Sequence, residues 1–170
     1  MKNLLLLLLV IPFAASAQTS AIEFNDIIVG EQNKIGQRLI DFNAAVEAGT
    51  STDLPLKLTL EQAKASTAVV EKLSWQDGAA LKKSAIELFK FYQSIVANEY
   101  VEMVKIIEKP DLSEADVTHL NELVASISER EAKLDADFAA QQEAFAKLNG
   151  FTLTENELQD ELDGLGEEDY

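Results

Sequence analysis

Three glutamates, Glu31, Glu99 and Glu131, fall on or beside stripes of apolar residues in a chain with one histidine, His119, and no cysteine. A carboxylate turned into an apolar interior is costly unless it is paired, protonated or bound to a cation. Some exported helical bundles use inward glutamates for that last purpose, completing a two-metal site with a pair of Glu-x-x-His motifs. One histidine cannot supply two such motifs. The glutamates are therefore weak candidates for a cation site, and an ion pair with Lys34, Arg38 or Arg130 is the competing fate. The C-terminal acids offer oxygen ligands as well, but DELDGLGEED lacks the D-x-D-x-D-G spacing of a calcium loop.

The same scarcity limits catalysis. A thiol nucleophile is impossible, and a serine, histidine and acid arrangement would have to pass through His119, which sits about 100° off the apolar seam of its helix. The 7 glycines are scattered, and none follows a strand pattern as a phosphate-binding loop would require. Met103 and His119 flank Pro110 at similar distances, so a hairpin there would bring them level, the pair a haem iron uses. The outward angle of His119 and the lack of a C-x-x-C-H attachment site argue against it. No catalytic residue and no cofactor is expected, and the chain reads as a non-enzyme.

The elements that must carry these residues are helices. Residues 1–17, MKNLLLLLLVIPFAASA, have the Lys2 n-region, short apolar core and small-residue end of a signal peptide, too short to span a bilayer. Export to the periplasm or beyond follows, without the cysteine that a lipid anchor would need. Residues 18–150 form the expected bundle domain, and 151–170 an acidic tail. A formal net charge of −16 makes nucleic acid and anionic lipid improbable partners.

Within the bundle domain, Ile28, Ile35, Leu39, Phe42 and Val46 repeat in steps of three and four along a first helix from about Ser20 to Ala48, closed by Gly49. TSTDLPLKL reads as an extended linker. Thr59 with Gln62 has the spacing of a capping box, predicting a short second helix over 60–74. A third helix is predicted from Ala79 to about Glu108, before Pro110. Its apolar residues from Leu88 to Ile107 cover about 160° of arc, while the seven charges from Glu87 to Lys109 disfavour a membrane span. It should be the most buried helix.

The fourth helix is predicted from Ser113, its cap, to Leu148. Val117, Leu120, Val124, Ile127, Glu131, Leu134, Phe138, Gln141, Phe145 and Leu148 alternate three and four residues without a break, a period of 3.5 that favours left-handed supercoiling. Leu112 and Val117 should form a hydrophobic staple. In the tail, Thr154 with Glu157 and Leu153 with Leu158 mark a possible two-turn helix from Glu155 to Leu162. The fold class is thus all-α: an antiparallel four-helix bundle with coiled-coil-like packing, a short second helix and an acidic tail.

The stretch AIEFNDIIVGEQNKIGQRLIDF, with its acid, aromatic, Asn-Asp, Ile-Val and Gln order around Glu23 to Gln32, resembles uncharacterised all-helical surface or secreted proteins of leptospires and Bacteroidota. The resemblance implies an envelope or secreted helical protein with envelope or extracellular partners rather than an enzyme. It supplies no site residue, and the family's anchoring cysteine is missing here. The expected function is a protein-binding or structural module, with cation binding through the inward glutamates or the tail as the alternative.

Overall fold

The computed structural model describes residues 20–153; the signal peptide expected at 1–17 and the helix expected at 155–162 lie outside the described residues. Those residues form five helical segments and no strand: α1 Ala21–Glu47, α2 Asp53–Lys72, α3 Ala79–Ala97, α4 Glu99–Ile107 and α5 Glu114–Asn149. None of these helices is long and apolar enough to cross a membrane.

Ser20 caps α1 through a capping box, its hydroxyl accepting from the Glu23 amide at 3.0 Å. Ser113 does the same for α5 with Asp116. Two orphan amides at each start are thereby satisfied. Gly150 ends α5 with φ 73°, a left-handed conformation open to glycine at little cost, and the Phe151 amide then bonds the Ala146 carbonyl at 3.1 Å. At the end of α2, Lys82 reaches back so that its ammonium donates to the carbonyls of Glu71 and Leu73 at 2.6 and 2.8 Å.

Two boundaries depart from the sequence pattern. The extended linker does not form, because α2 begins at Asp53 rather than Leu60. Pro55 falls in the first turn, where its missing amide breaks no bond and its fixed φ suits a helix. Thr59 and Gln62 accordingly sit inside α2, not at its cap. Thr59 is buried, its hydroxyl donating to the carbonyls of Pro55 and Arg38 at 2.9 and 3.1 Å. The third predicted helix is likewise interrupted at Asn98, where φ −124° and ψ −76° leave the helical region. The Asn98 side-chain amide donates to the Ser94 carbonyl at 2.8 Å, binding the break back onto α3.

α3 is the most buried element in proportion to its length, with Leu81, Leu88, Phe89, Ile95 and Val96 at 2% exposure or less. It packs against α2 on one side and α5 on another, while α1 covers α2 and touches α5 only sparingly. At one end of the molecule the start of α1, the α2/α3 turn and the end of α5 meet. Phe24 and Phe145 have ring centroids 5.3 Å apart, Trp75 Nε1 donates to Asn149 Oδ1 at 3.1 Å, and Gln142 donates to Asn25 at 3.0 Å. Gly78 lets Phe24 approach so closely that an added Cβ would lie 2.6 Å from its ring. At the other end stand the α1/α2 turn, the end of α4 and the start of α5.

Candidate functional site

The three glutamates singled out by the sequence have different partners. Glu31, only 6% exposed, lies where α1 crosses α2. Its Oε1 accepts from Lys34 at 2.6 Å and its Oε2 from the Ser66 hydroxyl at 2.7 Å, while Gln62 donates to that same hydroxyl at 3.0 Å. The cost of burying this carboxylate is offset by two charge-assisted or short bonds. The three do not form one group, since among the described residues no set of three or more histidine, aspartate and glutamate side chains converges as a metal ion would require.

Glu99 opens α4 directly after the Asn98 break. That interruption turns it toward α5, where Arg130 Nη1 donates to its Oε1 at 2.6 Å. The same guanidinium lies 5.0 Å from the centre of the Phe91 ring, so a flat cation is held between a carboxylate and an aromatic face. The second Glu99 oxygen is buried without a hydrogen bond among the described residues.

Glu131, the next residue along α5, hydrogen-bonds with Tyr92. Burial, then the negative charges of Glu131 and Asp135, hold the Tyr92 hydroxyl well above the ordinary tyrosine range. Tyr100 is raised for the same leading reason, burial, with Glu131 second; its ring stacks on Phe42 of α1 at 5.1 Å. Such tyrosines stay protonated and serve as hydrogen-bond donors. These two phenols are the polar groups that the sequence pattern hides, because an aromatic at a seam position reads simply as core.

At the tip of the α4/α5 hairpin, His119 is exposed and its Nε2 lies 2.8 Å from Glu102 Oε1. The Glu102 hydrogen bond raises its pKa above 6.5, with Glu122 adding a smaller pull. Next to it Lys109 pairs with Asp116, which this bond and those from Ser113 hold well below the usual carboxylate range. His119 therefore spends its ring on a surface pair, consistent with its outward angle on the helix.

A concavity lies between the α1/α2 turn and the end of α4. It encloses about 330 Å3 and is lined by Val46, Gly49, Thr50, Ser51, Thr52, Val104, Ile107 and Glu108. Along the α4/α5 hairpin Ile107, which lines it, and Leu112, Val117 and Val124 stand at 42 to 47% exposure. Leu112 and Val117, the expected staple, are thus both open to solvent. No family model, no curated protein and no solved structure matches the chain.

Proposed function

We propose that this chain is an exported, non-enzymatic antiparallel four-helix bundle that works by binding another protein of the envelope or extracellular space. In this reading α3 and α4 act as one broken helix, and α1, α2 and α5 supply the other three with coiled-coil-like packing, α2 shorter than α1 and α5. The signal-peptide pattern at 1–17 and the resemblance at Ala21–Phe42 support export. The net charge of −16 favours a basic partner surface over nucleic acid.

The observation that carries the reading is where apolar surface is left open. Among the described residues, four of the eight well-exposed large apolar side chains fall in residues 107–124, from the end of α4 into the first turns of α5. Apolar surface gathered in one place and edged by charge is how binding faces differ from ordinary surface, where exposed leucines and valines occur singly. The ionisable side chains singled out for chemistry are meanwhile engaged in helix-to-helix pairs, as Glu31 is with Ser66, Glu99 with Arg130 and His119 with Glu102.

Affinity isolation of the tagged mature chain from its native envelope and medium tests this. One stoichiometric protein partner, lost when Val117 and Val124 are both changed to serine, is the expected result. Recovery of the chain alone, under mild crosslinking, contradicts it.

A further inference from the structure

Asn149-Gly150 is the only Asn-Gly pair in the sequence, and it stands where α5 stops. A backbone nitrogen one residue after an asparagine can attack the carbonyl carbon of that side chain, and glycine, lacking a Cβ, obstructs the attack least. The Gly150 nitrogen, its proton passing to a solvent base, would bond to Asn149 Cγ while the Cγ–Nδ2 bond breaks and the side-chain nitrogen leaves as ammonia. Water then opens the five-membered imide at either carbonyl, giving aspartate or isoaspartate.

In the folded chain the polar atoms of that reaction are engaged elsewhere. The Gly150 amide donates to the Ala146 carbonyl, Asn149 Nδ2 donates to the Phe145 carbonyl at 2.9 Å, and Asn149 Oδ1 accepts from Trp75 Nε1 at 3.1 Å. Asn149 is itself the last helical residue, and closing the imide ring requires its ψ to leave the helical region. Nucleophile, leaving group and carbonyl oxygen are thus each held by a hydrogen bond. Two of the bonds belong to the last turn of α5, and helix ends open locally without global unfolding. The third comes from the α2/α3 turn, so that contact decides how readily the end comes free.

We infer that Asn149 is a deamidation site gated by the fold, closed while the end of α5 is bound to the α2/α3 turn and reactive when that end opens. The product does not restore the closed state. An aspartate has no amide to donate to the Phe145 carbonyl, and it adds negative charge at the negative end of the α5 dipole, where Lys147 is the basic residue of the last turn. An isoaspartate adds a carbon to the main chain just before the left-handed Gly150 turn and shifts Phe151, whose ring centroid lies 5.9 Å from that of Phe145. Conversion therefore loosens the aromatic end of the bundle, and it runs one way.

The mature chain and a free peptide with the sequence of residues 144–153 are incubated side by side in the same neutral buffer. Mass spectrometry of proteolytic fragments follows conversion at Asn149. The chain should react about a hundredfold more slowly than the peptide, since three hydrogen bonds must open and each contributes several-fold. Trp75→Phe, which removes one of the three and keeps an aromatic ring, should speed the reaction about fivefold. In the unaltered chain, urea added below the unfolding transition should raise conversion in step with hydrogen exchange of the Gly150 amide. Asn149→Asp, which is the aspartate product, should lower the melting temperature by about 3 °C.

Equal rates in chain and peptide would overturn the gating. So would a reaction no faster in Trp75→Phe, which would show that the Trp75 bond does not restrain the side chain, or conversion that ignores the opening of the Gly150 amide. An Asn149→Asp chain that melts with the unaltered one would remove the claim that conversion loosens this end.

Discussion

The two halves of α5 carry the same repeat of apolar residues in steps of three and four, yet they differ sharply in burial. In the C-terminal half Phe138 and Phe145 are 5 and 3% exposed, whereas at the start of the helix Val117 and Val124 are 46 and 47% exposed; cover begins at Ile127, 6% exposed, and ends before Leu148, 67% exposed. The difference lies in the neighbours. The C-terminal half has α3 along it and meets Phe24 of α1 near its end. The first turns pair with α4, as His119 does with Glu102, and α4 is nine residues long and joined to α3 by a break at Asn98. A periodic stripe is permission for burial; whether the stripe is covered depends on how far the partner helices run.

Substitutions should sort along that division. Phe145→Ala removes a ring buried in the aromatic end and should cost about 3–5 kcal/mol in denaturant unfolding. A loss below 1 kcal/mol would mean that this end is not the stable half. At the boundary, Arg130→Ala strips the partner from Glu99 and the cation from Phe91, and about 1–3 kcal/mol is expected. Because Glu99 keeps partial access to water, a double-mutant cycle with Glu99→Ala should recover part of that loss, and strict additivity would show that the pair is not coupled.

Smaller effects belong to the tip. Ser113→Ala, which removes the α5 cap, should cost about 1 kcal/mol and lower protection of the first turn only. Val124→Ser should change stability by no more than about 0.5 kcal/mol, because the side chain is already half in water. The contrast with Phe145 would disappear if Val124→Ser proved as damaging as Phe145→Ala.

The tip also carries a pH-dependent contact. Since Glu102 raises the His119 pKa in the folded chain, the pair's contribution is present in full below about pH 6.5, the unfolded value, and is lost as pH rises through the folded value. An NMR titration of the His119 ring should give a midpoint above 6.5 that falls toward it in Glu102→Gln. An unchanged midpoint would show that the contact does not persist in solution.

Much of this organisation was readable from residue types alone. Ser113 was legible as the cap of α5, and Lys34, Arg38 and Arg130 were legible as cations able to pair with the inward acids; Lys34 pairs with Glu31 and Arg130 with Glu99, while the Ser20 capping box was not singled out. The start of α2 was not. Thr59 and Gln62 have the same spacing inside a helix as at its cap, and only the presence of a buried site for the Thr59 hydroxyl against Arg38 decides between them. The Asn98 break was hidden too, since ANEY contains neither glycine nor proline. The pocket at Thr52 arises from a turn meeting the end of a distant helix, and no local pattern records such a meeting.

Residue-resolved hydrogen exchange along α5 in the mature chain addresses the division most directly. Protection close to the global unfolding limit across residues 127–146, with a clear fall over 114–124, is the expected profile. Equal protection along the whole helix would contradict it, because the N-terminal half would then be held as firmly as the half buried against α3.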